Sequence, residues 1–375
     1  MKKFVVFLIL LISFIVGVKA AEIDSNIKEA YTEQLKSLDI NKVKNILPKK
    51  TRDSLNAVGL NELELGNLLD LKYSKIIKEI GKEIKSRISI FSVMPILAVI
   101  FLSALIKNFK ISANLKNIPQ VTDIISLICI SVSIINPIVR FINESSAIIN
   151  AAANFTMGIV PVLTGIMIAT GRALSATSYH ALVIFAGQVV SYLSANFLIP
   201  VMNTLLGVSL ISSISPRLNI ENLCLTVQKS VKILLKALAS IFTGLLTLQN
   251  LIGNCADTLG KSTWKLTIDS CVPIVGGAVS DAVHTMGSCL DLLKTSLGAF
   301  GIIAGSLVFL PVIVECFLWM LLLNICLFVS DVFELKKISA LIKSTVNVIS
   351  VLLAIMVCII TVLIVSIGII LIIGR

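Results

Sequence analysis

Charge is what this sequence has least of. Only 14% of its 375 residues are Asp, Glu, Lys or Arg, against about 25% in soluble domains, and 56% are apolar against roughly 45–50%. A chain with so little polar surface cannot cover its apolar residues in water, so a bilayer is its natural solvent. It has eight cysteines but no C-x-x-C pair and no Cys/His cluster, which leaves zinc sites and dithiol chemistry without support. Its net charge of +11 never gathers into a basic patch with interleaved aromatics, which argues against nucleic acid as a partner. Lysines on the cytoplasmic side of membrane spans account for the excess. No paired catalytic motif and no phosphate-binding loop is present, so the chain reads as a non-enzyme with no implied cofactor and no metal site.

The few charges are unevenly placed. Residues 21–87 hold thirteen Lys/Arg and eleven Asp/Glu, whereas residues 88–375 hold sixteen and ten. Two regimes therefore share one chain. Before them, residues 1–20 have the form of a secretory signal: Lys2 and Lys3, an apolar run from Phe4 to Val16, then Val18-Lys19-Ala20 as a cleavage site. Residues 21–87 then form a small extracytoplasmic helical region, in which Ile27, Tyr31, Leu35 and Leu38 share one face and Pro48 breaks the chain.

Residues 88–375 read as an all-α, polytopic transmembrane helical bundle. A crossing takes about 20 mostly apolar residues, and the gaps between charges offer Ile88–Ile106, Ile124–Ile142, Ala147–Thr170, two crossings in Ala173–Pro216 with a turn near Asn196–Pro200, Ala237–Cys255, Ser296–Ser330 and Val346–Ile373. If Ser296–Ser330 crosses once, the mature chain has eight spans; seven to nine fit the pattern. Lys107, Arg172, Arg217, Lys229, Lys232, Lys236, Lys336, Lys337 and Lys343 then fall on the cytoplasmic side, as the positive-inside rule requires. Residues 257–295 face the other way. Cys255, Cys271 and Cys289 lie near that outward stretch, where either a disulfide or buried free thiols fits the spacing.

The most informative segment is 264–293. Val275, Val279, Val283, Met286, Leu290 and Leu293 make one apolar helical stripe. Beside it, Gly276 and Ser280 are four apart, as are Ala278 and Ala282, and such small side chains let helix backbones approach closely in a membrane. Pro273, Gly276, Gly277, Ser280 and Asp281 are accordingly the expected packing or docking residues. Asp281 and His284 share a face, but with no second carboxylate or nucleophile nearby they read as a polar strip. Glu315, inside an apolar run, is the candidate intramembrane polar site, because ionisable groups at membrane depth are costly and often functional.

Leu248-Gln249-Asn250 and the run Val272-Pro273-Ile274-Val275-Gly276-Gly277-Ala278-Val279-Ser280-Asp281-Ala282 resemble the signature region of the stage III sporulation protein AE family. The resemblance implies a subunit of the stage III sporulation complex, an apparatus linking mother cell and forespore in endospore-forming bacteria. It implies a mother-cell membrane around the engulfed forespore as location, and a secretion-type ATPase and ring-forming proteins as partners alongside the lipid bilayer. It carries over no catalytic residue. The alternative is a stand-alone transporter or permease, for which Glu315 would be the polar site.

Overall fold

The computed structural model describes residues 45, 47–58, 81, 93–113, 119–214, 221–271 and 276–372. The signal at 1–20 and nearly all of 21–87 lie outside the described residues. Among those described, every regular element is a helix: α1 (Lys49–Val58), α2 (Met94–Ala113), α3 (Pro119–Ala169), α4 (Ala173–Leu193), a π-helical segment (Ser194–Leu198), α5 (Ile199–Ile214), α6 (Glu221–Cys271), α7 (Gly276–Val332) and α8 (Lys336–Ile372). In lipid a helix is the open-chain element that pairs its own N–H and C=O groups internally. Hydroxyls inside these helices follow the same logic: Thr164, Ser306, Thr345 and Ser366 each donate to the carbonyl four residues back.

Among the described residues, five helical runs are long and apolar enough to cross a membrane: Ile124–Ala169, Ala173–Ile211, Cys224–Gly253, Met286–Val332 and Lys336–Leu371. The last is the hub. Its apolar window is 61% buried, against 22% for that of α6, and α8 packs on α3, α4, α5, α6 and α7. The Tyr179 hydroxyl of α4 donates to the Ser366 carbonyl at 2.6 Å, fixing α4 on α8.

Two expected turns are not made. Residues 142–147 lie inside α3, because Asn143-Glu144-Ser145-Ser146 is polar yet contains nothing that stops a helix, and Pro137 removes only one backbone bond. Near Pro200 the chain also stays helical. The Ile199 N–H donates to the Ser194 carbonyl, five residues back, and this wider π turn makes room for a proline that has no N–H to offer. The expected span pairs at 124–170 and 173–216 are thus single helical runs. Ser296–Ser330, in contrast, lies within one unbroken helix, α7, as the single-crossing alternative expects.

The helix order fixes which ends meet. Ser103 of α2 donates to Ser126 near the start of α3 at 2.8 Å, and the Lys107 ammonium of α2 donates to the Phe333 and Glu334 carbonyls at the α7–α8 corner. Lys107, the start of α3, the end of α7 and the start of α8 therefore share one end of the molecule. Since α3 is continuous, Arg172 lies at the opposite end from Lys107, which corrects the expectation that both face the same side. The following run through α4 and α5 returns, so Ile214 at its end rejoins the Lys107 end: two merged pairs leave the later parity unchanged.

Both short corners close in one way. At the end of α3, Gly171 sits at φ 76°, its N–H donates to Ile168, and the Arg172 N–H donates to Met167. At the end of α7, Glu334 sits at φ 53°, its N–H donates to Asp331, and the Leu335 N–H donates to Ser330. These are Schellman closures, which use a left-handed residue to satisfy the last free carbonyls of a helix.

Candidate functional site

The segment singled out in the sequence lies at the α6–α7 junction. Gly276, Gly277, Ser280 and Asp281 occupy the first turns of α7, but their side chains, and Pro273 altogether, lie outside the described residues. Their placement along the chain is nevertheless informative. The uncharged stretch of α6 ends at Asp257 while the helix continues to Cys271, about 21 Å farther at 1.5 Å per residue. Cys255 and Cys289 are free thiols.

At the base of this extension, α6 meets the start of α4. Arg172 provides no side-chain cap for α4. Asp257 reaches across instead: the Leu174 N–H donates to its Oδ1 at 3.3 Å and the Ser175 N–H to its Oδ2 at 3.2 Å. Asp257 is buried, only 7% exposed, so a carboxylate is spent on two N–H groups that would otherwise go unpaired in an apolar setting. One turn earlier, Gly253 makes the approach possible, since a Cβ there would lie 3.1 Å from the Ser175 Cα. Sequence reasoning passed over this pair. The available signal was Gly253-x-x-x-Asp257 closing an apolar run, which puts both residues on one helix face.

The close packing expected of Gly276 and Ser280 is seen farther along α7. A Cβ on Gly305 would meet Leu363 at 2.6 Å, and one on Gly301 would meet Ile159 at 2.7 Å and Ile367 at 3.0 Å. Leu371 would crowd a Cβ on Gly298. Gly301-Ile-Ile-Ala-Gly305 is a small-x-x-x-small pair whose face receives α8 and α3. It was equally legible in the sequence.

Glu315 is buried, 4% exposed, on the α7 face that packs on α3. The edge-to-face pair Phe141–Trp319, 5.9 Å between centroids, fixes the register there, and it brings Glu144 of α3 to the level of Glu315. Both carboxylates lie within electrostatic reach of the Cys316 thiol. On α6, the Lys232 ammonium donates to Ser350 of α8 at 3.0 Å. Among the described residues no three His, Cys, Asp or Glu side chains are gathered to hold a metal ion. A cavity between α3, α4 and α8, lined by Thr156, Gln188, Ser191 and Ser366, measures about 30 Å³, room for a water molecule or two rather than an organic solute.

Comparison with known proteins follows the same lines. A family model described as stage III sporulation protein AE matches residues 61–374, which takes in the whole helical body from α2 onward. The stage III sporulation protein AE of Bacillus subtilis (strain 168) is 23% identical over 161 residues, 43% of this chain and 40% of that protein. The chain thus spans about two fifths of the length of the relative it matches. No solved structure matches it.

Proposed function

The chain belongs to the stage III sporulation protein AE family, and from that premise we propose that it is a non-enzymatic, multi-pass subunit of the stage III sporulation complex. In this reading its five long apolar helices are its crossings, and it is a structural or channel-forming part of the apparatus in the mother-cell membrane around the forespore. A secretion-type ATPase and ring-forming proteins are its partners there. The observation that carries the reading is the family match across the entire helical body, joined to the position of the signature run. That run links α6 to α7 beyond Asp257, where the uncharged stretch of α6 ends, and a neighbouring subunit can reach it there.

Pro273, Gly276, Gly277, Ser280 and Asp281 are its docking residues in this reading. Gly276→Leu or Ser280→Leu then abolishes co-purification of partner subunits from sporulating cells, while the variants still enter the membrane at wild-type levels. Undiminished partner recovery from both variants counts against the assignment. The rival reading, a stand-alone transporter, draws on buried Glu315 facing the Glu144 level. It requires uptake of solute into liposomes holding this chain alone, lost in Glu315→Ala.

A further inference from the structure

Of the five crossing runs among the described residues, that of α6 is the least covered. Only 22% of its apolar window is buried, against 39–61% for the others. Its buried side chains, Gln228, Val231, Leu235, Phe242 and Leu246 among them, form one face, and the helix packs on α4, α5 and α8. An outer face exposes Ile241, Leu245 and Leu248, as contact with lipid allows. Between the two runs a third face of another kind. Lys229, Lys232, Lys236, Ser240, Thr243 and Thr247 step by three, four, four, three and four, so they share one stripe, about 27 Å long at 1.5 Å per residue. All six lie inside the apolar run Cys224–Gly253.

The helices around these lysines offer them no counter-charge. Between Glu221 and Asp257 α6 carries no Asp or Glu, and α4, α5 and α8 carry none at all. Among the described residues none of the three lysines is paired with a carboxylate. Lys232 donates to the Ser350 hydroxyl at 3.0 Å, which satisfies one proton but no charge. Ammonium groups inside an apolar run are costly, and where they occur they are paired or face a polar surface. The remainder of the stripe is small and open. Thr243 and Thr247 donate to the carbonyls four residues back and keep oxygen lone pairs for an outside donor. Ser240 and Gly244 are four apart, and a Cβ on Gly244 would meet nothing within 4 Å, whereas the space above Gly301 and Gly305 of α7 is filled by neighbours. Such spacing lets a second helix approach closely.

We propose that this stripe of α6 receives a membrane helix of another subunit, one that carries at least one Asp or Glu within its own apolar run, set against Lys229 and Lys236. A lipid phosphate would engage the lysine end alone, whereas a helix follows the stripe along its whole length. A second copy of this chain is a poor fit, since its Asp257 and Glu315 are buried in their own bundle. The proposal rests on the subunit reading above but uses a surface separate from the 273–281 run.

The test uses the full chain in sporulating cells, with a photocrosslinking amino acid in place of Ser240 and, as a control, in place of Phe185 on α4, 72% exposed. The probe at Ser240 should trap a membrane-crossing peptide of a different subunit that contains Asp or Glu, and the probe at Phe185 should not trap it. Lys229→Gln combined with Lys236→Gln should lower that adduct at least about tenfold, as loss of one side of a desolvated charge pair does. Lys229→Arg combined with Lys236→Arg should retain it, with both double variants reaching the membrane at wild-type levels. Changing the trapped peptide's carboxylate to lysine should remove the adduct, and Lys236→Glu in this chain should then restore it. Adducts with lipid alone or with a second copy, a trapped helix without a carboxylate, or an adduct that survives both glutamines overturns the proposal. If Gly276→Leu loses its partners while the glutamine variant keeps the adduct, the subunit reading stands and this surface does not.

Discussion

Asp257 shows how one carboxylate settles a contact between two helices. The first N–H groups of α4 have no partner within their own helix, and Arg172, which precedes them, supplies none. The two bonds from Leu174 and Ser175 N–H place a negative charge where the helix dipole favours one. Removing a cap of this kind costs about 1 kcal/mol, up to about 2. Asp257→Ala should therefore lower the thermal midpoint of the detergent-solubilised protein by a few degrees, and Asp257→Asn, which keeps one acceptor oxygen, should fall between alanine and wild type. An alanine variant that melts with wild type removes the cap from any account of the α4–α6 contact. Gly253 belongs to the same device, because its missing side chain brings Asp257 within reach. In contrast, Lys107 works at the other end: its ammonium donates to the Phe333 and Glu334 carbonyls between α7 and α8, closing a corner that turns on Glu334.

Among the elements, α7 and α8 make the most intimate pair, and small residues set their distance. Lipid tails are as apolar as leucine, so helices in a membrane are held by packing and hydrogen bonds more than by exclusion from solvent. Gly301 admits Ile159 from α3 and Ile367 from α8, and Gly305 admits Leu363. Gly301→Leu has to displace both neighbours and should destabilise by about 1–3 kcal/mol, the usual cost of overpacking. Gly305→Ala meets only the flexible end of Leu363 and should cost clearly less. Thermal unfolding of the two variants checks the order, and a reversed order would mean that the α7 contact with α3 and α8 is looser than the glycines indicate. The sequence made the helices easy to recognise and their breaks hard to place. Apolar runs and their charged interruptions at Arg140–Glu144, Lys236 and Glu315 were all visible, but a polar residue marks a change of surroundings without bending a chain. Asn143 to Ser146 has no residue that must end a helix, and Pro200 was read as a turn because the π segment that accommodates it leaves no mark in composition. A second packing site went unread for a related reason. Small-x-x-x-small spacing occurs at both 276–280 and 301–305; the second receives α8 and α3, which composition does not show, and the side chains of the first lie outside the described residues.

At the scale of the whole molecule, sidedness turns on the parity of continuous helices. One run from Asp123 to Ala169 carries the chain from the Lys107 end to the Arg172 end, and one run through α4 and α5 brings it back. Two crossings in each stretch would have returned Arg172 to the Lys107 side, yet either count leaves Arg217, Lys229, Lys232, Lys236 and Lys336 together. The charge pattern alone therefore could not distinguish the two; Arg172 is the position at which they differ. With continuous helices the Lys107 end holds eight lysines of the described helices, Lys107, Lys110, Lys229, Lys232, Lys236, Lys336, Lys337 and Lys343, and the positive-inside rule predicts that this end faces the cytoplasm. Ala173 and Lys336 are both exposed and lie at opposite corners. A cysteine at Lys336 should react with an impermeant thiol reagent only from the cytoplasmic face, and a cysteine at Ala173 only from the other. If both react from one face, α3 or the α4–α5 run doubles back in the membrane.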